Sequence, residues 1–399
     1  MDATNDRLGP PTIGLVALFL KFLKFGALAF GGPVAQIAMI RHALVEDERW
    51  IDPARFNRLL AVLQILPGPE AHELCVHFGM IARGRWGGLL AGLGFMLPGL
   101  LLMLAAGWFY VTWLAVRGDW SGVLMGIQIV VLAIILRAVV RIGQHILEDR
   151  MTWAIALASL AATAAGVPFW IPLLAGGFAH ALAQRPPLVV VVAAFALAIA
   201  VASLLFGASL PTLATGTGTG GPATLPALFF AGLKGGLLTF GGAYTAIPYV
   251  RADTVGRGWI GDAAFLDGIA ISGVLPAPLV IFATFVGYVV GGLGGALAIT
   301  AGMFLPAFAF SLVLYERLEA VVHNEALHRL LGGIAAAVVG IIAATWLQLG
   351  EAAQGRMDRP LVALVLFTLA LVAIWRIKGT LVMPALLLVG GVAGRLLLE

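Results

Sequence analysis

Charge is what this 399-residue sequence has least of. Only 11% of its residues are Asp, Glu, Lys or Arg, while 61% are hydrophobic and the mean hydropathy is +1.02. Water-soluble chains carry about 25% charged residues, so this one cannot cover a water-facing surface and reads as an integral membrane protein. No polar stretch is long enough to form a separate soluble domain. The single cysteine, Cys75, excludes an internal disulfide and any multi-cysteine metal site, and no cofactor is expected. Lysine is scarce, at four against 20 arginines. The net charge of +4 comes with no basic block, which argues against nucleic acid as a partner; most of these cations read as cytoplasmic-loop anchors. The first ten residues lack a basic n-region and no small-residue cleavage site follows, so the first helix is read as retained.

What fills the chain is unbroken apolar runs such as Leu188–Phe206 and Leu361–Trp375. A spanning β-barrel would show short alternating segments, which leaves helices as the structure that satisfies its own backbone in lipid. The fold class expected is an all-α polytopic membrane protein. Candidate helices are Thr12–Phe30, Arg55–Leu66, Glu70–Ala82, Gly87–Trp113, Gly122–Ile142, Thr152–Ala165, Phe169–Ala183 and Leu188–Phe206. The charge-free segment Gly207–Thr224 reads as a flexible linker. Helices then resume at Leu225–Phe240, Ala263–Leu275, Leu279–Val290, Gly295–Leu314, His328–Gln348, Leu361–Trp375 and Leu381–Leu397.

Individual residues recur with the pattern. Lys24 and Phe30-Gly31-Gly32 match Lys234 and Phe240-Gly241-Gly242 at an offset of 210. Trp50-Ile51 matches Trp259-Ile260, and Leu66-Pro67-Gly68-Pro69 matches Leu275-Pro276-Ala277-Pro278, both at 209; Leu97-Pro98 matches Leu305-Pro306 at 208. The organisation expected is an N-terminal repeat over 1–185, a connecting helix and linker over 186–224, and a C-terminal repeat over 225–399. Two homologous membrane halves are common in secondary transporters, which bind substrate where the repeats meet. If the Pro-broken segment Arg55–Ala82 crosses the membrane once, the chain makes thirteen crossings and its halves are inverted. If that segment turns back, the cations divide about 15 to 6 between the two sides, not roughly 13 to 8. One crossing with inverted halves is the expectation, because inversion gives alternating access a structural basis.

Phe-Gly-Gly and Pro-x-Pro interrupt helices where a span should be continuous. Proline removes a donor and clashes with the preceding turn, and helix ends at membrane depth survive only if they line a cavity or are buried in protein. Helices opening after Pro69 and Pro278 would aim free N–H groups and positive dipole ends inward, which suits an anion; kinks that merely shape packing are the plain alternative. The candidate substrate-binding residues are therefore Phe30, Gly31, Gly32, Pro67, Gly68 and Pro69, with Phe240, Gly241, Gly242, Pro276, Ala277 and Pro278. Lysine within a span must snorkel, pair or face water. Lys24 and Lys234 are expected to face the central cavity as counter-charges, and Lys21 to snorkel.

Glu70, Glu73 and His77 share one helix face at i, i+3 and i+7 and are the candidate proton carriers. Capping of the helix dipole is the alternative for Glu70, and the second half has Leu279 in its place. His72 and His77 resemble a zinc-protease pair, but five residues set them about 140° apart on a helix. No metal site or catalytic constellation is expected, and the chain is not read as an enzyme.

Taken in order, these motifs resemble the chromate ion transporters. Phe30-Gly31-Gly32-Pro33, Leu66-Pro67-Gly68-Pro69-Glu70-Ala71, Arg83-Gly84-Arg85-Trp86-Gly87-Gly88-Leu89 and Leu97-Pro98 are similar to that family's N-terminal half. Phe240-Gly241-Gly242-Ala243-Tyr244, Leu275-Pro276-Ala277-Pro278 and Phe285-Val286-Gly287-Tyr288 continue the match. The resemblance covers nearly the whole chain, with Pro-Ala-Pro departing from the Pro-Gly-Pro of the first half. It implies a multi-pass protein of the bacterial inner membrane with oppositely oriented halves. It also implies export of chromate, a tetrahedral dianion, driven by membrane potential or a proton gradient and conferring chromate resistance. Sulfate is the alternative substrate, and a membrane-embedded enzyme or scaffold the alternative class. The oxyanion and the lipid bilayer are the expected partners, with a homodimer left open.

Overall fold

The computed structural model describes residues 9–63, 66–114, 120–206, 221–240, 242–313, 325–377, 379 and 382–398. These residues form helices and their connections, with no strand among them. In chain order the helices are α1 (Leu15–Ala27), α2 (Gly32–Arg41), α3 (Pro53–Leu63), α4 (Glu70–Phe109), α5 (Ser121–Ile146), α6 (Arg150–Ala164), α7 (Trp170–Ala181) and α8 (Pro186–Phe206). The second half contributes α9 (Leu225–Leu237), α10 (Ile247–Thr254), α11 (Asp262–Val274), α12 (Phe282–Val313), α13 (Glu325–Gln354), α14 (Pro360–Arg376) and α15 (Val382–Leu397). Most of the expected linker, 207–220, lies outside the described residues. Helices α4, α5, α8, α12 and α13 are long and apolar enough to cross a membrane.

The broken helices fold back. At 13 residues α1 is about 20 Å long, too short for a bilayer core of about 30 Å. The chain breaks at Phe30-Gly31-Gly32 and returns as α2, bringing Arg49 close enough to accept the Gly9 N–H at 3.2 Å. The next pair does the same. Trp50, just before α3, and Phe56, in its first turn, both pack on Phe78, near the end of the first arm of α4. In the second half the Trp259 indole N–H donates to the Gly221 carbonyl at 2.9 Å, so the α9–α10 pair also starts and finishes at one end of the molecule. The single crossing expected for Arg55–Ala82 is thus corrected, and with it the count of thirteen. The break at Pro67-Gly68-Pro69 is a turning point, because two prolines and a glycine leave too few backbone bonds to carry a helix straight through.

α4 and α12 each turn sharply after a short first arm. Arg83 and Gly84 have φ, ψ of −147°, 30° and 61°, −155°, while Gly291 and Gly292 have −139°, 22° and 60°, −153°. The same turn thus recurs 208 residues later, each time with glycine at the positive φ that a side chain resists. The long arms of α4 and α12 then run antiparallel where Gly88 meets Leu312 and Gly92 meets Phe308; further along α4, Gly99 meets Ala277 in the Pro-Ala-Pro break and Gly107 meets Tyr288 on the first arm of α12. α1 lies against α4 with Gly94 facing Phe19 and Leu23, and α9 lies against α12 with Gly302 facing Phe229 and Leu233. Small residues let helix backbones approach closely, which is how helices associate in lipid without a hydrophobic drive between them.

The later helices are exchanged between halves. α5 packs on α14 and α15, while α13 packs on α6 and α7. Segments 1–185 and 225–399 therefore share one interior and neither closes alone. Gly236 illustrates the tightness, since a Cβ there would strike the Met303 backbone, whereas Gly350 faces open space. Gly236→Val is expected to cost about 1–3 kcal/mol and to lower the melting midpoint of the detergent-solubilised protein. Gly350→Ala should leave that midpoint unchanged or raise it, and equal effects from the two would contradict this packing.

Candidate functional site

A cavity of about 570 Å³ runs from the end of the molecule that holds the α5–α6 connection down to the helix breaks. Its deep lining comes from both halves: Gly31, Gly32 and Pro33 at the start of α2, and Phe240, Gly242, Ala243 and Tyr244 at the turn leading into α10. Gly31 caps α2 in the left-handed region at φ 86°, and no acid occupies that helix's first turn. The first N–H groups of a helix have no partner within it. Here those of α2 open toward a cavity, with a positive dipole end behind them.

Arg137 and Arg141 of α5 stand on the wall, one turn apart, with Tyr244 as a further neighbour of Arg137. His145, His180 and His328 add imidazoles toward the mouth, where Glu148 and Asp149 form an acidic rim. Asp149 caps α6 by accepting the Thr152 N–H at 2.7 Å, and that bond holds its carboxyl below the usual range. Asp149 therefore stays anionic at the rim while the arginines sit deeper, beside the helix starts. Guanidinium and backbone N–H groups in this arrangement are donors suited to charge-assisted bonds with a compact polyanion.

The predicted residues divide into three groups. Gly31, Gly32, Phe240, Gly242 and Glu70 line the cavity. Pro67, Gly68, Pro69, Pro276, Ala277 and Pro278 are buried behind it and join the halves. The Gly68 N–H donates to the Thr239 carbonyl at 2.8 Å, and the Gln36 amide donates to the Ala29 and Ala277 carbonyls at 2.9 Å each. Phe30 is half-buried at the first break, and Gly241 lies outside the described residues.

The position expected for the two lysines is corrected. Lys24 is exposed on α1 and does not line this cavity. Lys234 pairs with Asp253 at 2.7 Å and sits 4.6 Å over the Phe169 ring, because the second half supplies an almost fully buried carboxylate that needs a partner. Lys21 pairs with Glu48 near the membrane end, as snorkelling requires.

The acid–imidazole face is also divided. Glu70 reaches the cavity, while Glu73 is fully buried against Gly68, with no hydrogen-bond partner for either carboxylate oxygen among the described residues. His77 is buried below it, and the unpredicted His72 is enclosed by Phe95, Phe304 and Phe308. Arg137 and Arg141 were missed by motif reading although a signal was present. Two arginines four residues apart interrupt the apolar run Gly122–Ile142, and ionisable residues inside a span are functional by default.

Fold and site together define a multi-pass helical membrane protein with a cation-walled cavity at the meeting point of broken helices. A family model described as "Chromate transporter" matches residues 16–220 and 226–395, and the chain belongs to that family. It is 53% identical over 397 residues to a "Chromate transport protein" of Pseudomonas aeruginosa, covering 98% of this chain and 94% of that one. A "Chromate transport protein" of Cupriavidus metallidurans is 30% identical over 386 residues, covering 90% and 88%. A "Probable chromate transport protein" of Synechococcus elongatus is 28% identical over 389 residues, covering 96% of each. No solved structure matches.

The lysines yield a prediction of their own. Lys234→Ala strands Asp253 with Arg257 at 3.5 Å as its remaining partner, and should destabilise the protein by about 1–3 kcal/mol. Lys24→Ala should change stability by less than about 0.5 kcal/mol. Thermal melts in detergent check both; adding Asp253→Asn to Lys234→Ala should recover part of the loss, and no recovery would rule out the pairing as its cause.

Proposed function

We propose that this chain exports chromate across the bacterial inner membrane and thereby confers resistance to it. The observation that carries the reading is the convergence of Arg137 and Arg141 with broken-helix starts from both halves in one cavity. A tetrahedral dianion offers four oxygens to those donors, and family membership supports chromate as that dianion. Sulfate has the same shape and charge and is read as a competitor. Gly31, Gly32, Phe240 and Gly242 shape the site, and the Pro-x-Pro breaks behind it transmit movement between halves.

Orientation follows from charge. The cavity's end of the molecule carries Arg41, Arg49, Arg55, Arg58, Arg83, Arg85, Arg150 and Arg185, against Arg251, Arg257, Arg356, Arg359 and Arg395 at the other. The positive-inside rule assigns the richer end to the cytoplasm, so the cavity is loaded from the side an exporter must empty. We read the halves as an inverted pair. The antiparallel long arms of α4 and α12, with their repeated turn, support this, and rocking one half against the other would then move the site between the two faces. An inside-negative potential favours outward movement of a dianion by about 4–5 kcal/mol per 100 mV. Glu70, on the cavity and backed by Glu73 and His77, is the candidate for any proton that accompanies the anion.

Chromate uptake into inside-out vesicles tests the reading. Uptake should require the membrane potential or the pH gradient, and sulfate should inhibit it. Arg137→Gln and Arg141→Gln should each raise the half-saturating chromate concentration by about tenfold or more, and Glu70→Gln should shift the pH profile. Wild-type kinetics in both arginine variants would refute the site, and absence of chromate flux in the wild type would refute the function.

A further inference from the structure

The mechanism above leaves unused a buried carboxylate at the end of the molecule away from the cavity mouth. Asp267, on α11, is 1% exposed. Its Oδ2 accepts the Tyr110 hydroxyl at 2.8 Å, and its Oδ1 accepts the Gln128 amide at 2.7 Å. The Gln128 carbonyl in turn accepts from Arg356 Nη2 at 3.1 Å. Beside this chain Arg251 donates to Asp262, at the start of α11, at 2.8 Å and to Gln348 of α13 at 2.7 Å.

Three properties set Asp267 apart from an ordinary buried acid. It ties the halves together, since Tyr110 and Gln128 belong to the first and Asp267 and Arg356 to the second. It is also unrepeated: at the offset of 209 its counterpart is Arg58, exposed on α3 at the cavity end, and Gln128 at 208 corresponds to Ala336. Among the described residues the Asp267–Gln128 pair thus has no counterpart at the cavity end, where its repeat positions are Arg58 and Ala336. Finally, α11 connects this point to the site. Seven residues after Asp267, about 10 Å along the helix, α11 ends at Val274, and three residues further on comes Ala277, whose carbonyl is held by Gln36 of α2.

We propose that Asp267 is the latch of the gate on the cavity's far side, and that release of the anion there requires its bonds to Tyr110 and Gln128 to break. The inference rests on the transport reading but not on which oxyanion is carried. With the latch closed, α11 is fixed to α5 and to the turn that follows α4, and the cavity lining comes from the breaks and the α5–α6 end. With it open, α11 is free to swing and carries the Pro-Ala-Pro break with it. Asp267 is a positioning residue: it acts through the helix it holds.

The test uses the full chain in lipid, with spin labels on cysteines introduced at exposed Trp120 and at Gly258, both at the latch end; native Cys75 is buried. Distance distributions are measured for the otherwise wild-type chain and for Asp267→Asn and Tyr110→Phe. Loss of one hydrogen bond to a charged group should raise the ratio of open to closed states about tenfold, seen as growth of a longer-distance population without substrate. The same variants should let chromate leak down its gradient in proteoliposomes. Unchanged distances in both variants would overturn the proposal, as would unchanged distances in Tyr110→Phe if Asp267→Asn fails to fold. Altered distances in a protein that moves no chromate would uphold the latch and fault the substrate reading alone.

Discussion

Lipid cannot hydrogen-bond to a peptide group, so every interrupted helix inside a bilayer must find partners within the protein. Each unmet group costs several kcal/mol, and this chain interrupts its helices at membrane depth in both halves. The solution is crossed pairing. The Pro-Gly-Pro break of the first half donates to the residue before the Phe-Gly-Gly break of the second, through Gly68 and Thr239. Gln36 then joins the Phe-Gly-Gly break of the first half, at Ala29, to the Pro-Ala-Pro break of the second, at Ala277. Satisfying the backbone therefore forces the halves together, and the helix starts left facing inward at Gly31 and Gly242 border the cavity.

On this repeated frame the chemistry is placed once. Arg137 and Arg141 have Thr345 and Leu349 as counterparts at 208, Glu70 has Leu279, and Asp267 has Arg58. The packing glycines, by contrast, recur: Gly26 against Phe95 is repeated by Gly236 against Met303. Steric requirements of close helix approach act equally on both halves. Charge does not need to: under the proposed function a single dianion in one cavity calls for one set of counter-charges, and an export cycle has an inner and an outer side that differ.

Much of the fold was legible in the sequence. Hydropathy alone separates helices from barrels, and the breaks announce themselves through proline and glycine. The fold-back of α1 with α2 was not legible, since a break specifies that a helix stops and says nothing of the direction in which the chain resumes. The lysines misled for a related reason. Lys234 is costly in lipid whether it meets a ligand or Asp253, and the partner lies 19 residues away on a returning helix that hydropathy reads as a loop. Arg137 and Arg141 are not marked by the repeat, because Thr345 and Leu349 stand at their equivalent positions. Their relation to Gly31 and Tyr244 exists only after α5 is packed against the breaks.

The central claim is that an oxyanion rests where α5's arginine pair meets the broken-helix starts of both halves. Equilibrium binding of radiolabelled chromate to the purified protein in detergent, free of any gradient, tests it most directly. The account predicts one saturable site per chain, competed by sulfate, retained in Lys24→Ala and weakened at least about a hundredfold in the Arg137→Gln, Arg141→Gln double variant. Undiminished binding in a correctly folded double variant would contradict it.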